Sequence, residues 1–204
     1  MNPSTRNSIR FERCFSLRAM QMAVWTIAFL AAGAIDAHAQ NGIGSFQGFL
    51  TGHVGAITGG EISSARATLG ASVAVNEDNG WGAEIDFGHS SDAVSGQQIL
   101  DVTNYMVNAI WIKPAGLVRP FGIGGVGVLQ INGCDSPCSV PARTNDFGMN
   151  VGGGAFFMLS DVAGFRADAR YVFSSADHAD LHRPDNFNYW RISIGATFSW
   201  AIAP

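Results

Sequence analysis

The chain has 204 residues, which is enough for one domain and too few for two ordinary domains joined by a linker. Charged residues make up 14% of the chain, against roughly 25% in soluble domains, and 25 glycines accompany a hydrophobic share of 47%. This composition excludes disorder, collagen and a coiled coil. The formal net charge is -4 and Lys113 is the single lysine, so no basic surface is available for a phosphate backbone and nucleic acid is excluded as a partner.

The N-terminal segment has the organisation of a secretory signal peptide. Four arginines precede an apolar run over 19–35, and the run is followed by Ala37-His38-Ala39. A positive region, an apolar region and an A-x-A site in this order direct export and cleavage. An uncleaved membrane anchor is the alternative, since a run of this length is near the lower limit for spanning a bilayer. We expect residues 1–39 to be removed and residues 40–204 to form the mature domain.

Two cysteines, Cys134 and Cys138, lie close together in the predicted mature chain. An exported protein meets an oxidising compartment, where such a pair can form a disulfide. A metal site would need further cysteine or histidine ligands at suitable spacing, and the flanking sequence has none. We therefore expect a disulfide that stiffens a loop tip.

Alternation of apolar and polar residues with a period of two recurs eight times after residue 40. In the clearest case, Arg166, Asp168 and Arg170 share one face of a strand. The pattern predicts eight long strands, near 45–57, 64–75, 80–89, 101–113, 117–131, 146–158, 162–174 and 187–200. An even number of strands fits an antiparallel up-and-down barrel.

The predicted connections between these strands alternate in length. Those after the second, fourth and sixth strands are short, whereas those after the third, fifth and seventh are long and polar, over 90–100, 132–145 and 175–187. The connection after the first strand, over 58–63, is a shorter member of the long-loop end. Transmembrane barrels show this asymmetry between periplasmic turns and extracellular loops.

Alternation alone does not decide which face of the barrel points outward. A soluble lipocalin-like barrel would have its charges in water and its aromatic residues around a ligand, and a membrane barrel reverses both. The polar face consists mainly of Gly, Ser, Thr and Asn, and its charges have both signs, as a narrow lumen that must pair its own ions requires. The predicted lumen charges are Arg66, Glu84, Asp86, Arg166, Asp168, Arg170 and Arg191.

Aromatic residues lie toward the strand ends of the apolar face, where they are expected to form girdles at the two membrane interfaces. They are Phe46, Trp81, Phe87, Trp111, Phe121, Phe147, Phe173, Trp190 and Trp200. Together these features predict an all-β fold, an eight-stranded antiparallel up-and-down transmembrane β-barrel. Because such an interior is only just wide enough for its own side chains, we expect ion pairs to plug the lumen.

Two segments resemble a known family. The final predicted strand, residues 193–200, has the pattern polar-x-Gly-x-x-aromatic-x-aromatic, and the glycine-rich segment 118–128 opens with Arg-Pro-aromatic. Both resemble the eight-stranded outer-membrane β-barrel family of OmpA/OmpX-like proteins, and the resemblance extends over residues 44–200. It implies an outer-membrane location, contact with outer-membrane lipid, and recognition of Gly195, Phe198 and Trp200 by the outer-membrane assembly machinery.

Two short motifs bear on chemistry. His89 and Ser91 resemble the His-x-Ser element of outer-membrane lipid A deacylases, in which the histidine activates the serine; otherwise they form a strand cap facing lipid headgroups. His178 and His182 have a spacing that could hold a divalent metal, but Pro184 and the lack of an apolar stripe argue against the helix this requires. We assign no catalytic residue, no metal and no cofactor.

The sequence favours a non-enzymatic integral outer-membrane barrel whose long loops contact an unidentified extracellular ligand or support envelope integrity. The alternatives are a lipid A deacylase-like barrel, a small-solute-conducting barrel and a soluble periplasmic lipocalin-like binding barrel. A closed barrel has no strand edge that needs a partner, so we expect a monomer.

Overall fold

The computed structural model describes residues 45–95, 98–134, 141–175 and 186–202. Its eight strands, numbered in chain order, are β1 (Phe46–Gly59), β2 (Ile62–Glu77), β3 (Trp81–Ser95), β4 (Gln98–Ile112), β5 (Val118–Cys134), β6 (Pro141–Met158), β7 (Ala163–Ser175) and β8 (Asn186–Ile202). Each strand pairs antiparallel with the next and β8 pairs with β1, so the sheet closes into a barrel. The predicted fold class is confirmed.

No helix in the described part of the chain is long and apolar enough to cross a membrane.

The strands extend further at the loop end of the barrel than the sequence predicts. β3 and β4 continue until Ser95 pairs with Gln98, and β5 and β6 continue until Cys134 pairs with Pro141. Much of the loops predicted after the third and fifth strands therefore belongs to hairpins. The ladder between two strands is made by backbone groups, so it continues through segments whose side chains are polar on both faces.

The pairing register fixes the tilt of the strands. Following paired residues once around the barrel from Leu50 reaches Asn188 of β8. Trp190 pairs with Thr58 in the antiparallel ladder between β8 and β1, so Asn188 lies opposite position 60. The path around the barrel therefore returns ten residues beyond Leu50, where it began. Strands with a stagger of this kind run obliquely, at roughly 35–45° to the barrel axis.

The outer face of the barrel is apolar and the inner face carries the charges. Phe165 is 55% exposed, whereas the adjacent Arg166 is 3% exposed. Large exposed hydrophobic side chains lie on all eight strands and include Leu50, Leu69, Ile85, Val107, Val126, Val151, Phe165 and Ile194. Charges inside and apolar side chains outside are the arrangement of a membrane barrel and the reverse of a soluble lipocalin.

Most of the aromatic residues predicted for the girdles lie on this outer face, and Trp81, Phe147 and Trp190 are well exposed. The prediction for Phe121 is wrong, because its side chain is buried in the lumen, with its ring centre 5.1 Å from that of Phe156. Its outward neighbours are Pro120 and Gly122, and further glycines follow, which hides the alternation of β5 in the sequence.

Candidate functional site in the barrel lumen

A layer of six charged side chains crosses the middle of the lumen. Three arginines meet three carboxylates, and all six are buried: Glu84, Asp86, Arg166, Asp168, Arg170 and Arg191. Arg191 donates two parallel hydrogen bonds to Asp86, from Nη1 to Oδ2 at 2.7 Å and from Nη2 to Oδ1 at 2.9 Å. The formal charges of this layer cancel, which a buried ionic cluster needs in order to persist. We call these six side chains the charged layer.

Arg166 and Arg170 share two carboxylates within the charged layer. Arg166 donates from Nη1 to Glu84 Oε2, and from Nε to Asp168 Oδ2 at 2.9 Å. Arg170 Nη1 lies 2.9 Å from Glu84 Oε1, and Arg170 Nη2 lies 3.1 Å from Asp168 Oδ2. Arg166, Asp168 and Arg170 alternate along β7 and so project from the same face of that strand.

Neutral polar side chains bind the remaining lone pairs of the carboxylates. Asn108 Nδ2 donates to Glu84 Oε1 at 3.1 Å, and Asn104 Nδ2 donates to Asp86 Oδ2 at 3.2 Å. Ser193 Oγ donates to the third carboxylate, at Asp168 Oδ1, over 2.8 Å. Because buried ions stabilise a fold only when their hydrogen bonds are satisfied, these three side chains help to hold the charged layer in place.

His53 belongs to the same layer and was missed by the sequence analysis. Its Nε2 lies 3.4 Å from Asp86 Oδ1, and the side chain is 4% exposed. The space for its ring exists because position 70 is glycine, where a Cβ would collide with the imidazole. A single histidine in a strand has no spacing signal, and only its place on the inward face of β1 could have indicated this role.

Apolar side chains fill the lumen on both sides of the charged layer. Toward the short turns they are Phe49, Ala74, Ile110, Ile112, Phe121, Ile123, Phe156 and Met158. Toward the loops they are Ile57, Ile62, Ala93, Val102, Met106, Leu129, Ile131, Val172, Phe187 and Tyr189. The Arg166 guanidinium carbon lies 4.5 Å and 5.1 Å from the ring centres of Phe121 and Phe156, so the turn-side cluster contacts the charged layer directly.

Arg66, the seventh predicted lumen charge, does not join the other six. It is half-buried on β2, opposite Ile57 of β1. The ion pairs of the charged layer do not include it. Among the described residues its Nε has no hydrogen-bond partner, which is also true of Arg170 Nε and Arg191 Nε. Alternation fixes the face on which a side chain lies but not its height along the barrel axis, which is why the sequence grouped Arg66 with the rest.

The structure places His89 and Ser91 at the loop-side end of β3 without a hydrogen bond between them. His89 Nδ1 lies 2.8 Å from Thr103 Oγ1, and Ser91 is exposed. Within the described ranges, no group of three or more His, Cys, Asp or Glu side chains could hold a metal ion.

Several predicted features lie outside the described residues. They are the signal peptide over 1–39, Cys138, and the pair His178 and His182. Cys134, the other predicted disulfide partner, ends β5.

The three residues of the predicted assembly signal lie on β8. Gly195 pairs with His53 of β1, and Phe198 is 53% exposed on the outer face. The indole of Trp200 covers Gly48, where a Cβ would collide with the ring. Phe198 and Trp200 therefore lie on the outer surface of the barrel wall.

The sequence matches no protein-family model and no curated protein. Solved structures, however, share the fold. Neisserial surface protein A superposes with a TM-score of 0.59 at 11% identity, over 76% of this chain and 98% of that one. The N-terminal β-barrel domain of Pseudomonas aeruginosa OprF gives 0.53 at 16% identity, over 78% and 100%. Ail of Yersinia pestis gives 0.51 at 15% identity, over 78% and 100%.

These three are eight-stranded outer-membrane β-barrels, and this chain has their fold. At sequence identities of 11% to 16%, this similarity concerns the fold alone.

Proposed function

We propose that this chain is a non-enzymatic integral outer-membrane protein whose lumen is plugged and whose loop end makes its functional contacts. The observation that supports this proposal is the charged layer enclosed between two apolar clusters. A barrel of eight strands has an interior just wide enough for its side chains, so a lumen filled in this way leaves no path for a hydrated solute.

The outer face supports the membrane part of the proposal. On β8 it runs through apolar side chains from Trp190 to Trp200, with Ile192, Ile194 and Phe198 between them. An apolar band about 25 Å tall between aromatic girdles is what a bilayer covers in barrels of this kind. Export by the predicted signal peptide, assembly through the β8 signal and a monomeric state complete the proposal.

The loop end is the part of such a barrel that a ligand or a host surface meets. Loops carry the variable, exposed chemistry of proteins whose scaffold is rigid. Ail, one of the structures of like fold, is by its name an attachment invasion locus protein. We extend to this chain only the general role of surface contact, made by the loops or through envelope integrity.

Heat-modifiability tests the membrane barrel. The outer-membrane fraction would be run on an SDS gel with and without boiling. A closed barrel resists SDS until it is heated and migrates as a compact species, so we expect two mobilities in that fraction. A soluble periplasmic protein with one mobility would contradict the proposal.

Planar-bilayer recording tests the plug. The wild-type protein should show no stable conductance. Removing the aromatic filling with Phe49→Ala, Phe121→Ala and Phe156→Ala together should introduce current steps, provided that the variant keeps its heat-modifiable band. Stable wild-type channels would contradict the proposal of a closed lumen.

We also propose the disulfide between Cys134 and Cys138. Alkylation of the unfolded protein before and after reduction, followed by mass spectrometry, tests it. Two thiols that become reactive only after reduction are expected.

A further inference from the structure

One row of outward side chains toward the loop end of the barrel is polar. It crosses four neighbouring strands, β3 to β6, at positions that pair directly with one another: His89, Thr103, Gln130 and Asn145. All four point outward, because each lies two or four residues from an exposed apolar or aromatic side chain of its own strand. We call these four side chains the polar row.

Hydrogen bonds join the polar row into two pairs. His89 Nδ1 lies 2.8 Å from Thr103 Oγ1, and Gln130 Nε2 donates to Asn145 Oδ1 at 3.0 Å. These bonds hold the side chains in place along the wall. They leave the second ring nitrogen of His89, the side-chain carbonyl of Gln130 and the amide N–H groups of Asn145 for other partners. The polar row therefore offers both donors and acceptors to a molecule outside the barrel.

An apolar row lies directly beside the polar row, on the side toward the short turns. The next outward position on each of the four strands is aromatic or aliphatic, and these positions also pair with one another: Phe87, Tyr105, Val128 and Phe147. The ring centres of Phe87 and Tyr105 lie 5.3 Å apart, and Phe147 is 54% exposed. The outer face therefore changes from apolar to polar between two adjacent rows of side chains.

The boundary between the two rows lies at the depth of lipid headgroups. Tyrosine side chains are enriched where acyl chains meet headgroups, and Tyr105 belongs to the apolar row. The strands continue past the polar row, since β3 and β4 pair as far as Ser95 and Gln98, and β5 and β6 as far as Cys134 and Pro141. The polar row is therefore part of a continuous wall and does not merely cap the strand ends.

We propose that the polar row binds the sugar headgroup of a membrane glycolipid, whose acyl chains lie in the bilayer against the apolar row. A phosphate headgroup is bound best by a guanidinium or ammonium group, and the polar row contains neither. Sugar hydroxyls donate and accept hydrogen bonds, which matches the amide, hydroxyl and imidazole groups of the polar row. The inference rests on the proposed function in requiring that the barrel lie in a membrane.

The test uses the folded protein extracted from membranes into a polyoxyethylene detergent, which has no sugar group of its own. Native mass spectrometry measures the binding of glucosyl dioleoylglycerol. We expect the wild type to bind this lipid and the double variant Gln130→Leu, Asn145→Leu to bind about tenfold more weakly, because hydrogen bonds to the sugar are lost. The matched control is Thr58→Leu, at the loop-side end of β1 on the opposite side of the barrel, and it should bind like the wild type.

Three further probes identify the group that is bound. Dioleoylglycerol has the same chains without the sugar and should bind weakly. Dioleoyl phosphatidylglycerol has a phosphate headgroup and should also bind weakly. Free glucose should not compete at equal concentration, because it lacks the chains that lie against the apolar row. Equal binding of either lipid, full competition by glucose, or no binding of the glycolipid to the wild type would overturn the proposal.

Folding is checked separately from binding. Each variant must show the heat-modifiable band, and its absence in the wild type would count against the proposed membrane barrel rather than against the glycolipid site. If Gln130→Leu, Asn145→Leu does not fold, His89→Leu, Thr103→Val, which removes the other hydrogen-bonded pair of the polar row, decides the question. Wild-type affinity in the folded double variant that is tested would overturn the inference.

Discussion

The arginines of the charged layer and Arg66 face the same interior but have opposite surroundings. Arg166, Arg170 and Arg191 are at most 3% exposed, and each lies within hydrogen-bond distance of a carboxylate. Arg66 is half-buried beside a part of the wall where the ladder is missing. The β2–β3 ladder itself ends at the pair Leu69 and His89, below Arg66.

This difference shows how depth in the barrel decides whether a charge is paired. In the middle of the lumen an unpaired ion costs several kcal/mol, so each charge there meets its counter-ion. Toward the loop end, water and headgroups can solvate an ion, and Arg66 there takes no part in the ion pairs of the charged layer. Four predictions test the contrast, from the largest expected effect to the smallest.

Backbone amide exchange should separate the two halves of the β2–β3 seam. Amides of residues 70–76 that point toward β3 should exchange only on global unfolding, whereas those of residues 64–67 should show almost no protection. The difference corresponds to about 5 kcal/mol or more in opening free energy. Hydrogen exchange of the detergent-solubilised protein followed by NMR measures it. The amides of residues 64–67 that point toward β1 are the internal control, and equal protection on both sides would contradict the end of the ladder at Leu69 and His89.

Reversing the charge of Arg166 should strongly destabilise the barrel. Arg166→Glu leaves four carboxylates against two guanidinium groups in the charged layer, with the new one beside Glu84 and Asp168. Breaking one buried pair costs about 3–5 kcal/mol, and reversal should cost at least as much. Urea unfolding in detergent measures the loss. The double variant Arg166→Glu, Glu84→Arg should recover part of it, and an unchanged urea midpoint for Arg166→Glu would count against the network.

A side chain at position 88 should perturb the charged layer by steric means. The Cβ of a residue replacing Gly88 would lie 2.6 Å from Asn104 Oδ1 and 2.8 Å from Arg191 Nη1. Gly88→Val should therefore cost about 1–3 kcal/mol in the same assay. Gly122→Val is the matched control, because a Cβ there meets no atom within 4 Å. Equal losses for the two variants would mean that strand propensity, not the layer, sets the effect.

Removing the charge of Arg66 should barely change stability. Arg66→Gln breaks no ion pair of the charged layer, so the urea midpoint should shift by less than about 0.5 kcal/mol in free energy. A loss as large as that of Arg166→Glu would show that Arg66 has an essential partner. The comparison between the two arginines would then fail.

Alternation was sufficient to predict eight strands, their order and the face on which most side chains lie. It failed at Phe121, because its outward neighbours Pro120 and Gly122 are not the large apolar residues that would show which face of the strand points outward. It also could not show that the lumen contains apolar clusters, since Ile57 and Ile62 lie at strand ends where the alternation is weakest. Periodicity reports the face of a strand, and packing inside a closed barrel depends on which residues meet across it.

The composition of the charged layer could be predicted only in part. Its six charged members stand out as charges on polar faces, whereas His53 has no pattern that marks it, and Arg66 was grouped with the six by residue type alone. The position of each side chain along the barrel axis follows from the pairing register of all eight strand pairs, and no local sequence pattern shows that register. The end of the β2–β3 ladder at Leu69 and His89 could not be predicted for the same reason, because a strand that loses one neighbour while keeping the other has an unchanged sequence pattern.

The stagger of ten residues around the eight strands determines more than their tilt. Strand number and stagger together set the circumference of the barrel, so its diameter is independent of what fills it. A helical bundle can contract around a shortened side chain, but a closed ladder cannot contract without breaking a seam. Each truncation inside this lumen should therefore leave a hole of fixed size, and the wall behaves as a rigid container whose contents can be exchanged one side chain at a time.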